Sequence, residues 1–282
     1  MDSIHCMPDI KKILFLHGFT SGGQCEIAHT LREELAGTAD IISPDLPLSP
    51  ISALSIIRLI CKRKCPDLIV GSSCGAFYAQ QIVRFEGIPA LLINPYFKMS
   101  EFLSPRIGIS QYKCPRQNGE TEYEVTEQLI EEFRQIEDLQ FHFYDEFDKE
   151  RVWGLFGTED SIADFNDVFS QYFSISHTFQ GKHTMSSDNV KEILAPTIKE
   201  MLQKTRPTID RYFKYYKGDY YKICHTAFNN ETGTRSVIYQ SLQSDKKYHC
   251  CFEEEFFERI PYKGKSIPRF KEITSNNIPF LK

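Results

Sequence analysis

The chain has 282 residues, 41% hydrophobic and 25% charged, the make-up of a soluble globular protein with room for one large domain and one small. No apolar run approaches the roughly 20 residues of a membrane span. Met1–His5 lacks the basic and apolar regions of a signal peptide, so the nine cysteines read as reduced thiols of a cytoplasmic protein. Charge is unevenly spread. Residues 206–282 carry 14 Lys and Arg against 9 Asp and Glu, a net of +5, which leaves −10 of the chain's −5 for residues 1–205. That change of sign predicts two domains, 1–205 and 206–282. An excess of five positive charges is too small to imply nucleic-acid binding, and neither nucleic acid nor membrane is expected as a partner. Cys61 and Cys65 lack the C-x-x-C spacing of a zinc site, as do the adjacent Cys250 and Cys251. No metal and no cofactor is expected.

In chain order, apolar runs predict strands at Ile13–Leu16, Asp40–Ser43, Leu68–Gly71, Ala90–Asn94, Val152–Phe156 and Ile175–Phe179. Helical periodicity separates them at Ile27–Ala36, Ser52–Cys61, Ala76–Glu86, Thr126–Ile136, Ala163–Phe173 and Ser187–Lys204. Gly37 and Gly87 are helix stops, and Pro196 should kink or split the last helix. Strand and helix in alternation mean a doubly wound, mostly parallel α/β sheet. Nearly sixty residues separate Asn94 from Val152. Within them 99–123, rich in Pro, Gly and polar residues, reads as a loop, either a lid over a site or a surface excursion. Beyond 205, dense Tyr and Phe with turn signals at Lys217-Gly218-Asp219, Ser244-Asp245 and Lys263-Gly264-Lys265 predict a small all-β barrel or sheet, read as an SH3-like barrel.

One pentapeptide carries chemistry. Gly71-Ser72-Ser73-Cys74-Gly75 follows an apolar strand and opens a helix, so its G-x-S-x-G reads as a nucleophile elbow with Ser73 at the apex. A serine hydroxyl is a poor nucleophile at neutral pH. It needs a base, a group that orients the base, and donors for the oxyanion. On a hydrolase sheet these follow in the order Ser, acid, His, each just past the carboxyl end of a strand. Asp160 follows the strand at 152–156; Asp164 and Glu159 are its rivals. His183, in Gly181-Lys182-His183-Thr184, follows the strand at 175–179 and is the candidate base ahead of His177, which falls inside the strand. The oxyanion donors are the backbone N–H groups of Phe19, after the His17-Gly18 turn, and of Cys74. His17 is read as a loop anchor. Cys74 sits one residue too late to be the nucleophile and is read as packing.

These segments resemble a known family. Ile13-Leu14-Phe15-Leu16-His17-Gly18-Phe19-Thr20-Ser21, Pro44-Asp45-Leu46-Pro47, Gly71-Ser72-Ser73-Cys74-Gly75-Ala76-Phe77-Tyr78-Ala79 and Leu92-Ile93-Asn94-Pro95 resemble the YqiA-type small α/β-hydrolase esterases over roughly residues 10–200. The resemblance implies a compact bacterial hydrolase of esters or thioesters, with Ser73 as nucleophile, His183 as base, and an acidic segment holding both Asp160 and Asp164. Two departures stand out. Cys74-Gly75-Ala76 replaces the usual Leu-Gly-Gly, a change that keeps the backbone N–H of residue 74, and the 100–150 region is longer. The tail, with Tyr216-Lys217-Gly218-Asp219-Tyr220-Tyr221-Lys222, Val237-Ile238-Tyr239 and Pro268-Arg269-Phe270, resembles a short bacterial domain of unknown function. The expected function is therefore a serine hydrolase acting on a small-molecule ester or thioester through a Ser-His-Asp triad. The rival is a non-catalytic binding protein on the same scaffold, its C-terminal domain recognising a partner or ligand.

Overall fold

The computed structural model describes residues 10–273, except 115, 143, 145, 205–210, 230, 231, 233 and 244, together with 278 and 279. The chain divides between Leu202 and Gln203 into two compact units. In the first, β1 (Lys11–Leu16), α1 (Glu26–Glu34), β2 (Ala39–Ile42), α2 (Pro50–Lys64), β3 (Leu68–Ser72), α3 (Cys74–Glu86) and β4 (Ala90–Ile93) alternate as the hydrophobic pattern predicts. Ser49 caps α2 and Pro50 occupies its first turn, where a missing N–H costs nothing. Gly87 ends α3 in the left-handed region, at φ +63°.

The stretch 99–123 is not the continuous loop that composition suggested. It holds α4 (Met99–Leu103), a 3₁₀ turn, and a hairpin of β5 (Gly108–Gln111) and β6 (Glu122–Val125), followed by α5 (Glu127–Glu137) and α6 (Glu146–Arg151). A long-range cap explains α4. The Glu137 carboxylate accepts from Ser100 N–H at 2.6 Å and from the Ser100 hydroxyl at 2.5 Å, while Met99 and Leu103 are buried.

The chain returns to the sheet through β7 (Val152–Gly157), α7 (Asn166–Tyr172) and β8 (Ile175–Phe179). It leaves by a helical stretch in three parts: α8 (Ser187–Asn189), a π turn at Val190–Leu194, and α9 (Ala195–Lys204). The π turn stands directly ahead of Pro196, where the missing N–H was expected to break the helix.

All six core strands pair in parallel in the order β2-β1-β3-β4-β7-β8. Alternate residues feed two separate cores. From β1, Leu14 and Leu16 enter one while Ile13 and Phe15 enter the other; from β3, Ile69 enters the first and Leu68 and Val70 the second. A sheet buried on both faces needs continuous apolar strands, which is why these strands read as unbroken runs. With both faces packed, the strand ends are what remain for a site.

The second unit is antiparallel. Strands β9 (Tyr212–Tyr215), β10 (Tyr220–Asn229), β11 (Thr234–Ser241) and β12 (Tyr248–Phe252) precede α10 (Glu253–Phe257), the hairpin β13 (Arg259–Tyr262) and β14 (Lys265–Pro268), and β15 (Phe270–Ile273). Five of them form a sheet in the order β12-β11-β10-β9-β15. No pairing among the described residues joins β12 to β15. Phe213, Ile223, Val237, Phe256 and Phe270 make its core, beside a buried ion pair of Arg211 with Glu272.

Candidate active site

The elbow is built by contacts that admit no side chain. A Cβ on Gly71 would lie 2.4 Å from the Gly75 carbonyl oxygen, and one on Gly75 would lie 2.0 Å from the carbonyl oxygen of Leu16 on β1. Strand β3 and helix α3 can therefore meet only through glycine. The chain turns so sharply between them that Ser73 takes φ +54°, ψ −115°, a conformation that L-residues avoid. Hydrogen bonds hold it there: Ser73 N–H donates to Ile93 at 2.9 Å, and its carbonyl accepts from Ala76 at 3.0 Å and Phe77 at 3.2 Å.

Two loops from neighbouring strands meet the serine. His183 Nε2 lies 2.8 Å from Ser73 Oγ, and its Nδ1 lies 2.7 Å from Asp160 Oδ2. A carboxylate only accepts, so Nδ1 carries the proton and Nε2 presents its lone pair to the serine hydroxyl. The Asp160 side chain is 2% exposed and that of His183 14%. Asp160 is fixed from its other side, since Oδ1 accepts from Ile162 N–H at 2.8 Å and Ala163 N–H at 3.0 Å. That turn delays α7 to Asn166, three residues beyond the predicted start at Ala163. Asp164 consequently lies ahead of the helix rather than in its first turn, and it is exposed. Glu159 is exposed as well, 3.5 Å from Gln180 Nε2. His177 remains on β8 against Trp153.

Asn94 has a part that sequence reasoning missed. Buried and at φ +42°, it ends β4 between the two partner loops. Its Nδ2 donates to the carbonyls of Lys182 at 3.0 Å and His183 at 2.8 Å, while its Oδ1 accepts from Gly157 N–H at 2.7 Å. One amide thus ties the Asp160 loop to the His183 loop. The only signal was an Asn at a strand end, where its tolerance of positive φ suits a tight exit.

Across the serine, Phe19 follows the His17-Gly18 turn. A Cβ on Gly18 would lie 3.6 Å from Ser73 Cβ, which places this turn against the elbow. The N–H groups of Phe19 and Cys74 find no acceptor among the described residues. His17 anchors the loop: Nδ1 donates to Gly18 O at 2.7 Å, and Nε2 accepts from Leu46 N–H at 3.0 Å. Burial pulls its pKa down to about 4, so the ring is neutral in this role. Cys74 is buried beside Tyr78, and burial pushes its thiol up to about 12, far from nucleophilic.

A second unforeseen residue is Arg116, reached from the β5–β6 hairpin. Its guanidinium donates to Ser21 O at 3.1 Å and Leu46 O at 2.6 Å, and stacks over Tyr112 at 4.6 Å. The hairpin is thereby pinned to the Phe19 loop, with Lys113 N–H adding a bond to Thr20 O at 2.8 Å. A small cleft bounded by Phe19 and Cys74 shares Pro47, Leu48 and Tyr112 with an open cavity of about 640 Å³ that Arg116 and Tyr123 also line.

The model of an uncharacterised protein family, UPF0227, matches residues 12–203. The chain belongs to UPF0227. A second family model, a protein of unknown function designated DUF1653, matches residues 211–272. Among solved structures, the UPF0227 chain is similar to Est1E from Butyrivibrio proteoclasticus, with a TM-score of 0.50 and 13% identity over 69% of this chain and 89% of that one. It is similar also to alpha/beta hydrolase domain-containing protein 10 from mouse, with a TM-score of 0.52 and 15% identity over 69% of this chain and 90% of that one. At such identities the likeness is one of fold: the parallel-sheet unit has the α/β-hydrolase fold.

Proposed function

We propose that this UPF0227 protein is a serine hydrolase that cleaves a small carboxylic ester or thioester through an acyl-enzyme. The observation that carries the reading is the chain of two hydrogen bonds, Ser73 Oγ to His183 Nε2 at 2.8 Å and His183 Nδ1 to Asp160 Oδ2 at 2.7 Å. Ser73 Oγ attacks the carbonyl carbon while its proton passes to His183 Nε2. Asp160 holds the ring in the tautomer that can accept and stabilises the imidazolium that results. The developing oxyanion meets the N–H groups of Phe19 and Cys74, donors of a kind worth about 3 kcal/mol each in the transition state. Collapse expels the alkoxide or thiolate, which takes the proton from His183. Water, activated by the same ring, then releases the acid.

A panel of p-nitrophenyl esters and acyl thioesters of graded chain length tests the reading. Turnover by the full chain that disappears in a folded Ser73→Ala variant supports it. Turnover that survives that substitution contradicts it. No helix among the described residues is long and apolar enough to cross a membrane.

A further inference from the structure

We propose that the outward face of the β9–β12, β15 sheet binds single-stranded nucleic acid, its lysines taking phosphates and its tyrosines stacking on bases. The inference stands apart from the esterase reading and rests on strand register. Residues directly opposed in a sheet share a face, and two adjoining rows can be traced across this one. In the first, Tyr212 on β9 faces Lys222 on β10, and the row runs on through β11 to Tyr248 on β12. In the second, Lys271 on β15 faces Lys214 on β9, which faces Tyr220 on β10. The inner rows between them supply the core.

Three features point to an anion carrying flat apolar groups. First, lysine and tyrosine alternate as a checkerboard across β9 and β10. Lys214 Nζ lies 5.3 Å from the centre of the Tyr220 ring, and Lys222 Nζ lies 5.9 Å from that of Tyr212. Second, Lys214 and Lys271 stand directly opposite one another. Neighbouring strands are only about 4.8 Å apart, and like charges so placed repel; a phosphate between them turns that cost into affinity. Third, these rows hold no carboxylate. Among the described residues the acidic groups of this unit lie in turns (Asp219, Asp245), in or beside α10, or, for Glu272, inside the core paired with Arg211.

Solvent reaches the face: Lys214 and Lys271 are exposed, and Tyr248 is 66% exposed. Burial along β12 alternates residue by residue with Tyr248 on the open side. Total charge could not reveal this, because an excess of five says nothing about where the lysines lie. A duplex offers phosphates but keeps its base faces stacked, whereas a single strand offers both, and stacking of this kind tolerates any sequence.

Fluorescence anisotropy on the full chain tests the proposal, using labelled 15-nucleotide RNA and DNA of one mixed sequence, the corresponding duplex, and poly-glutamate. Single strands should bind more tightly than duplex or poly-glutamate, and a preference for RNA or for DNA would identify the sugar read. For each phosphate contact, log K should fall by ~0.7 per unit of log salt. Lys214→Gln with Lys271→Gln should flatten that slope by ~1.4 and weaken binding about tenfold. Tyr248→Ser, at a site whose replacement leaves the core intact, should weaken binding about fivefold with the slope unchanged. Arg63→Gln with Lys64→Gln, on the hydrolase unit, should change nothing. Absence of single-strand binding at about 100 µM protein in low salt would overturn the proposal. So would duplex or poly-glutamate binding as tight as that of the strands, or binding indifferent to Tyr248→Ser.

Discussion

The two units use a β-sheet in opposite ways. In the parallel-sheet unit both faces of the sheet are packed, so alternate residues of β1 and β3 disappear into two cores and a site is left to the strand ends. In the C-terminal unit one face is core and the other is wet, so the strands carry a presentable surface and their ends are only turns. A parallel sheet thus concentrates function at a point where loops converge, and a one-sided antiparallel sheet spreads it over a plane. Substitutions should follow suit. Those at strand ends of the first unit should strike activity, and those within the second should leave it alone.

The largest effect separates the acids. Asp160→Asn should lower kcat/KM about 10⁴-fold by allowing the wrong imidazole tautomer, while Asp164→Asn, at an exposed position, should leave it unchanged; steady-state kinetics on one ester decides. Next comes the division between the units. Glu272→Ala breaks the buried ion pair with Arg211, which should cost the C-terminal unit about 3–5 kcal/mol. Tyrosine near-UV ellipticity should follow that loss in urea. The fluorescence of Trp153, the chain's single tryptophan and part of the parallel-sheet core, should not move, nor should ester turnover.

A slightly smaller effect is expected at the elbow. Gly75→Ala pushes a methyl group into the Leu16 carbonyl and should destabilise the parallel-sheet unit by about 3 kcal/mol, read as an earlier Trp153 transition. The smallest concerns pH. His17 has a folded pKa near 4, below the unfolded 6.5. The unfolded chain therefore binds the proton first on acidification. Stability contributed by the neutral ring is complete above pH 6.5 and drains away as pH falls toward 4. Between pH 7.5 and 5 the protein should lose about 2 kcal/mol that a His17→Gln variant does not lose, measured by urea unfolding at the two pH values.

Local patterns made much of the first unit legible. β8 begins and ends at the predicted residues, and β3 was marked by its unbroken apolar run. Ser73, Asp160 and His183 could be picked out because a strand, a turn and a helix flank the first, and strand ends precede the other two. Features made by distant contacts stayed hidden. α4 depends on a cap from Glu137, thirty-seven residues away, and Arg116 reaches back to Ser21 and Leu46. Asn94 bridges loops some sixty and ninety residues beyond it. The early turn after Asp160 was also missed, since Ile162 and Ala163 show no sign that their amides serve a carboxylate. In the second unit the all-β character was visible in its turns and aromatics, but the facing of Lys214 with Lys271 belongs to register, which no window of sequence contains.

The central claim is that Ser73 is an activated nucleophile, and labelling with a fluorophosphonate followed by intact mass and peptide mapping tests it most directly. One adduct per chain is expected, on Ser73, lost in Ser73→Ala and greatly slowed in a folded His183→Ala variant. Equal labelling of a folded Ser73→Ala protein, or an adduct that maps to another residue, would contradict it.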